Sequence, residues 1–155
     1  MISDFERYHG VALRDLIVCA ARPIEISVHD DMGRVNSFLI DGRLVLHIKH
    51  SSNRAPPWSF TFTDENVAEL ERLAGPTRPL WLALVCGRDG VLALSFTEFR
   101  EINPFWAKAT SFVRVDRDKR TMYRVFGTNG RLPAAKPRGM LPLITGLKAL
   151  NGASQ

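Results

Sequence analysis

The stretch from Leu44 to Ser51 contains the two residues whose side chains are best suited to catalysis, His47 and Lys49. Alternate side chains of a strand share a face, so the imidazole and the ammonium group point to one side while Leu46 and Ile48 point to the other. Such a pair could serve in catalysis, and the same alternation is also typical of the polar side of a solvated strand. His50 falls on the face opposite His47, so these two histidines cannot chelate one metal ion from this strand.

A second set of residues suited to binding lies in the last third of the chain. Its members are cationic and could contact phosphates: Arg114, Arg117, Lys119, Arg120, Arg124 and Arg131. Aromatic side chains lie among them and could stack on bases: Trp106, Tyr123 and Phe126. The alternative is a charged face that only keeps the protein soluble.

The distribution of charge supports a partner that is a polyanion. The chain has 155 residues and a net charge of +5. Residues 1–102 carry 11 Lys/Arg against 14 Asp/Glu, whereas residues 103–155 carry 10 against 2. Nucleic acid or an acidic protein surface is the natural partner of such a C-terminal segment.

The apolar segments argue against membrane insertion and export. The longest apolar run, residues 80–86, is too short to cross a bilayer, and Asp4 and Glu6 occupy positions where a secretory signal is apolar. Cys19 and Cys86 have no CxxC spacing, so neither a disulfide framework nor a zinc site is indicated. The sequence therefore predicts a soluble, cytoplasmic protein with no membrane partner and no resident cofactor.

Local patterns predict an α/β core over residues 1–102. Ser3 and Glu6 form a capping box in front of a helix that runs from residue 4 to about 20. A second helix follows Thr63 and closes at Gly75-Pro76, and one helical turn follows Thr97. Alternating or apolar runs predict strands at 24–28, 35–40, 43–50, 58–62, 80–86 and 91–96. Turns are expected at 30–33 and at Asp41-Gly42, the strongest hairpin signal.

Residues 103–155 are predicted to extend the same domain. Segments 111–115 and 121–126 form a basic β-hairpin appended to the core, with a charged turn at 116–120. The rest is rich in glycine and proline and is expected to be loosely ordered, with a weak helix or docked segment at 141–150.

The order of helix, hairpin, helix and buried strand resembles the PD-(D/E)XK superfamily, the restriction-endonuclease-like fold, and its small bacterial members above all. The resemblance implies a central mixed sheet flanked by helices. It also implies a site in which an acid on the first hairpin strand and a Glu or Gln on the second hold a divalent metal, while a lysine helps to activate water. Mg²⁺ prefers such oxygen ligands.

On this chain the resemblance places Lys49 in the lysine position, His47 in the carboxylate position and Asn36 where the first metal-binding acid belongs. Glu6 matches an additional glutamate that some members carry. Imidazole and amide are poor ligands for a hard cation, so the resemblance implies a degenerate or altered site built from Lys49, His47 and Glu6. Asp41 is the nearest carboxylate and a weak candidate metal ligand.

Three functions remain open from the sequence. The first is a nucleic-acid-associated protein of nuclease-like fold in which binding matters more than cutting. The second is an active Mg²⁺-dependent endonuclease that uses Glu6, Asp41 and Lys49. The third is a protein-interaction module whose basic hairpin docks on an acidic partner.

Overall fold

The computed structural model describes residues 1–29, 35–107 and 109–153, and this part of the chain forms four helices and two sheets. The helices are α1 (Asp4–Ala20), α2 (Asp64–Leu73), α3 (Phe96–Ile102) and α4 (Leu141–Ala153). The strands are β1 (Ile26–Val28), β2 (Ser37–Ile40), β3 (Leu44–Ser51), β4 (Trp58–Phe62), β5 (Leu80–Cys86), β6 (Gly90–Ser95), β7 (Ser111–Asp116), β8 (Arg124–Gly127) and β9 (Gly130–Arg131). The predicted α/β class with a mixed sheet is confirmed. The turn predicted at 30–33 lies outside the described residues.

The first sheet has the strand order β1-β2-β3-β5-β6. All neighbouring strands are antiparallel except β3 and β5, which run parallel with Ser51 opposite Cys86. Residues 82–86 of β5 are buried, as expected for an apolar strand covered on both faces. Because β3 and β5 end together, the loops that follow them, residues 52–57 and 87–89, lie at one edge of this sheet. We call it the carboxyl edge.

The second sheet is antiparallel with the order β4-β7-β8-β9. Strand β4 follows β3 along the chain but leaves the first sheet and pairs with β7, so that Trp58 lies opposite Val115. Strands β7 and β8 pair as neighbours, with Arg114 opposite Phe126. They are interior strands of this sheet and contribute Val113 and Val125 to the core, whereas the sequence predicted an appended hairpin.

Two hydrophobic layers enclose the first sheet. On one face, Leu46 of β3 packs with Leu16 of α1 and Leu143 of α4. On the other face, Leu82 of β5 packs with Phe60 of the second sheet, and α2 and α3 close this layer. The two sheets therefore share the second of these layers, and the central strands β3 and β5 have one face toward the helices α1 and α4 and one toward the second sheet.

The C-terminal segment, predicted to be loosely ordered with a weak helix or docked segment at 141–150, includes helix α4. Helix α4 buries Leu143, Ile144 and Leu147 against α1 and the first sheet. The chain is held at the start of this helix because the Met140 amide donates a 2.8 Å hydrogen bond to the Asp15 carboxylate. In residues 1–29, 35–107 and 109–153, no helix is long and apolar enough to cross a membrane.

Candidate functional site

His47 lies on the face of β3 that points toward the second sheet, together with Lys49. The residue is 7% exposed, and its Nδ1 lies 2.9 Å from the hydroxyl of Ser37, the residue directly opposite on β2. Burial, with smaller contributions from the charges of Lys49 and His9, lowers the pKa of His47 to about 4. His47 is therefore a neutral, hydrogen-bonded imidazole at physiological pH.

Lys49 is partly buried at the margin of the apolar layer between the two sheets. Its Nζ lies 4.5 Å from the ring centroid of Phe62 on β4, a cation–π contact. Burial lowers the pKa of the Lys49 ammonium, and the carboxylate of Glu69 on α2 acts in the opposite direction. The lysine predicted from the sequence therefore lies against an aromatic ring in a partly buried position.

Glu6 does not join these two residues. It lies in the first turn of α1, on the helical side of the first sheet, and is fully exposed. Its Oε2 accepts hydrogen bonds from the Ser3 amide at 2.8 Å and from the Ser3 hydroxyl at 3.0 Å. These bonds lower the pKa of Glu6 and complete the predicted capping box.

Asp41 lies at the opposite end of β3 from Lys49. Its carboxylate accepts 2.8 Å bonds from the Arg22 guanidinium and from the Glu25 amide. Lys49 is five residues beyond Leu44, the first residue of β3, which is roughly 16 Å at the rise of a strand. The structure therefore brings His47 and Lys49 together, while Glu6 and Asp41 lie apart from them and from each other.

No group of three or more His, Cys, Asp or Glu side chains is placed to hold a metal ion within residues 1–29, 35–107 and 109–153. Asn36, which the resemblance placed at the first acid position, is half-buried beside β3, where its carbonyl accepts a 2.9 Å bond from the Ile48 amide. The described side chains thus provide a buried Ser37–His47 pair and Lys49, not a set of oxygen ligands.

A histidine cluster that the sequence did not predict lies on the helical side of β3. The ring of His50 stacks on Tyr8 of α1 with centroids 4.7 Å apart, and His9 packs on Phe5 at 3.8 Å. His9 is 5% exposed, and neither ring nitrogen has a hydrogen-bond partner among the described residues. Burial lowers its pKa to about 4, with a further contribution from His50. The signal in the sequence was helical spacing, which places Tyr8 and His9 on the buried side of α1.

The predicted cations divide between two surfaces. Arg117 begins the turn after β7 and donates a 2.7 Å hydrogen bond to Asp89, which follows β5. The same carboxylate accepts a 2.5 Å bond from the hydroxyl of Tyr123. Because Tyr123 is fully buried, it is a structural residue and is not available to stack on a base.

Lys119 and Arg120 are exposed beside Arg117 at the carboxyl edge. A cavity of about 410 Å³ opens here, lined by Pro56, Trp58, Asp89 and residues 117–120. In the part of the chain that the structure describes, no ion pair involves Lys119 or Arg120. We call this opening the turn cavity.

Arg114, Arg124 and Arg131 lie instead on the solvent face of the second sheet. Arg114 is exposed and its guanidinium lies 4.8 Å from the ring centroid of Phe126, directly opposite on β8. Arg131 on β9 pairs with Phe126 from the side of β8 that faces away from β7.

Arg124 pairs with two carboxylates, Asp116 at 3.4 Å and Asp118 at 3.2 Å, so its charge is partly neutralised. Phe126 is half-buried and Trp106 is 63% exposed, so both remain available for contact.

Three further arginines at the carboxyl edge were not predicted as site residues. Arg7 of α1, Arg54 after β3 and Arg88 after β5 line a second cavity of about 300 Å³ together with Asp4, Tyr8 and Ser52. Sequence alone could have flagged Arg54 and Arg88, because each follows a predicted strand within a polar loop. Only the parallel pairing of β3 and β5 brings the two loops together.

Comparison with known proteins found no family model, no curated protein and no solved structure that matches this chain.

Proposed function

We propose that this protein binds nucleic acid through the cationic carboxyl edge and the adjoining solvent face of the second sheet, and that it has a nuclease-like fold without a working metal site. The observation that carries the proposal is the convergence of cations from separate loops. Residues 52–57, 87–89 and 117–120 meet around the turn cavity and the neighbouring arginine-lined cavity.

Electrostatics favour a polyanion at this edge. Among the described residues, Lys119, Arg120, Arg131 and Arg114 have no carboxylate partner, and the Arg114 guanidinium lies over the ring of Phe126. A phosphate backbone supplies regularly spaced negative charges, and releasing its counterions favours binding by such unpaired cations. Phe126 beside Arg114 and the exposed Trp106 offer aromatic surfaces for bases of a single strand.

The resemblance to the PD-(D/E)XK superfamily supports the fold part of the proposal. α1, the β2–β3 hairpin, α2 and the buried strand β5 follow one another in the expected order, with Lys49 on the second hairpin strand. The neighbouring strand contributes a serine to His47 where that superfamily holds metal ligands. Binding without cleavage is what this side-chain set supports best.

The test measures binding of a labelled DNA duplex and of its single strands over a range of salt concentrations. If the site contacts about four to six phosphates, the log–log salt slope on duplex DNA is roughly −3.6 to −5.4. The double variant Lys119→Glu/Arg120→Glu loses at least about tenfold in affinity, and its slope becomes shallower by roughly 1.8 because two contacts are lost.

The matched control is Arg72→Glu/Arg78→Glu, which changes the net charge equally. Arg72 lies in the last turn of α2 and Arg78 precedes β5, so both exposed residues lie at the other end of the first sheet. Its affinity for DNA stays within about threefold of the parent protein. Equal losses in the two double variants, or a flat salt dependence of the parent, would contradict the proposal.

Cleavage is measured in the same samples with Mg²⁺ and with Mn²⁺, on DNA and RNA. We expect intact substrates. If the parent protein yields cleavage products and the Lys49→Ala variant does not, the endonuclease alternative would replace the proposal. If the protein captures an acidic protein, if that complex survives nuclease treatment and if the protein has no affinity for DNA or RNA, the interaction-module alternative would replace the proposal.

A further inference from the structure

The cavity lined by Arg7, Arg54 and Arg88 has the composition of an anion site. Its volume is about 300 Å³, and three of its six lining residues are arginines. The others are Asp4 and two hydroxyl-bearing residues, Tyr8 and Ser52. We call it the arginine cavity.

The fold assembles this cavity from three segments that are distant in sequence. Parallel pairing ends β3 and β5 side by side, and the Gly87 amide donates a 2.8 Å bond to the Ser51 carbonyl. This places the loop carrying Arg54 next to the loop carrying Arg88. The stacking of His50 on Tyr8 fixes α1, and with it Arg7, against the end of β3.

The loop that carries Arg54 is itself held in place. The carbonyl of Asn53 accepts a 3.0 Å hydrogen bond from the indole of Trp58, and the Asn53 amide group donates to the Pro57 carbonyl at 3.3 Å. Gly87 lies so close that a Cβ there would stand 2.1 Å from the Asn53 carbonyl oxygen. The backbone around the cavity is therefore tightly packed, although the arginine side chains themselves are exposed.

The charges in the arginine cavity are not balanced. Asp4 pairs with Arg7 at 3.7 Å, but both side chains are about two-thirds exposed, at 68% and 65%, so the pair is weak. Among the described residues, no carboxylate pairs with Arg54 or Arg88. Three guanidinium groups thus face one carboxylate, an arrangement that favours an added anion.

We propose that the arginine cavity binds the terminal phosphate of a nucleic-acid strand, an inference that rests on the proposed function. A phosphate monoester carries a charge of roughly −1.5 to −2 at neutral pH and presents three oxygens, whereas an internal phosphodiester carries one charge. Arginine binds such oxygens in a bidentate manner, and a site with several guanidinium groups binds the more highly charged monoester more tightly than the diester. The hydroxyls of Tyr8 and Ser52 provide further donors at the cavity wall.

The position of the cavity identifies the phosphate as one that belongs to a polynucleotide. Arg88 is followed by Asp89, which lines the turn cavity, and Arg54 is two residues from Pro56, which lines it too. A strand end held in the arginine cavity therefore has its next nucleotides beside Lys119 and Arg120.

The experiment compares single-stranded oligonucleotides of one sequence that end in a 5′-phosphate, a 3′-phosphate or hydroxyls at both ends. The protein is expected to bind one of the phosphorylated strands at least tenfold more tightly than the hydroxyl strand at equal salt. In Arg54→Gln/Arg88→Gln this ratio falls to near one, while affinity for the hydroxyl strand changes less. The control Arg72→Gln/Arg78→Gln keeps the ratio of the parent protein.

Circular dichroism and thermal melting check the folding of the variants, which are expected to fold because the substituted arginines are exposed. Equal affinity of the parent protein for all three strands would overturn the terminal-phosphate site and leave the proposed function intact. Failure of all three strands to bind would overturn both. A preference that persists unchanged in Arg54→Gln/Arg88→Gln would also overturn the site, because the recognition would then lie elsewhere.

Discussion

The hydroxyl of Tyr123 donates a 2.5 Å hydrogen bond to the Asp89 carboxylate, which also accepts a 2.7 Å bond from Arg117. Asp89 belongs to the turn between β5 and β6 of the first sheet, whereas Arg117 and Tyr123 flank the turn between β7 and β8 of the second. The Arg117 guanidinium lies 4.7 Å from the ring centroid of Tyr123, which completes the cluster. This one carboxylate thus joins the two sheets at the carboxyl edge.

Tyr123→Phe is expected to lower the free energy of unfolding by about 1.5–3 kcal/mol, because it removes a buried hydrogen bond to a charged acceptor. Urea unfolding at pH 7 measures the effect. Tyr8→Phe is the matched control, since the Tyr8 hydroxyl makes no hydrogen bond among the described residues, and it changes the free energy of unfolding by less than about 0.5 kcal/mol. Similar losses in both variants would contradict the importance of the Asp89 contact.

Two buried imidazoles are expected to make the fold sensitive to acid. The pKa values of His9 and His47 are about 4 in the folded protein and 6.5 without burial. Above pH 6.5 both states are neutral, and as the pH falls from 6.5 toward 4 the unfolded chain binds more protons. The free energy of unfolding therefore decreases over this range, by about 1.4 kcal/mol for each unit of pKa difference. Urea unfolding at pH 7.5, 6.0 and 5.0 measures the decrease.

His9→Leu is expected to reduce this pH dependence without destabilising the protein at pH 7.5, because His9 has no hydrogen-bond partner to lose among the described residues. His29→Gln serves as the control, since His29 lies outside the cluster, next to β1. A pH dependence unchanged by His9→Leu would show that other groups cause the acid sensitivity.

The face shared by His47 and Lys49 followed from the sequence, but the partner of His47 did not. A two-residue turn at Asp41-Gly42 would pair His47 with Asn36. In the structure Ile40 pairs with Leu44, which leaves Arg43 as an extra residue and brings Ser37 opposite His47. This register places Ile40 and Leu44 on one buried face of the sheet. A shift of β3 by one residue would turn Leu44 to the opposite face. Burial therefore decided the register over the tightest turn.

The sheet to which each strand belongs could not be read from local patterns. The alternation in Trp58 to Phe62 predicts one buried face, which the structure has, but it carries no information about the neighbouring strand. That neighbour is β7, about fifty residues later, so the predicted appended hairpin became part of a larger sheet. For the same reason the convergence of Arg54 with Arg88 depends on a pairing that the sequence did not specify.

Lys49→Met is expected to leave the free energy of unfolding unchanged or to raise it by up to about 1 kcal/mol. Burial lowers the pKa of this ammonium, so a charge is being held where an apolar group of similar length would pack on Phe62. Urea unfolding at pH 7 gives the value, with the exposed Lys148→Met as control. A loss above 1 kcal/mol in Lys49→Met alone would mean that attraction to Glu69 outweighs the cost of burial.

Gly87→Ala is expected to destabilise the protein more than Gly130→Ala does. Both glycines have positive φ, +51° and +85°, so alanine is strained at both positions and costs about 1 kcal/mol or more. At Gly87 the new Cβ would also collide with backbone, 2.1 Å from the Asn53 oxygen, whereas at Gly130 no atom of the described residues lies within 4 Å of it. The collision pushes the loop 52–57 away from the carboxyl edge. Thermal melting compares the two stabilities, and the NMR signal of the Trp58 indole N–H reports the loop, because that group donates to Asn53. Equal melting temperatures together with an unmoved indole signal would contradict the close packing of these two loops.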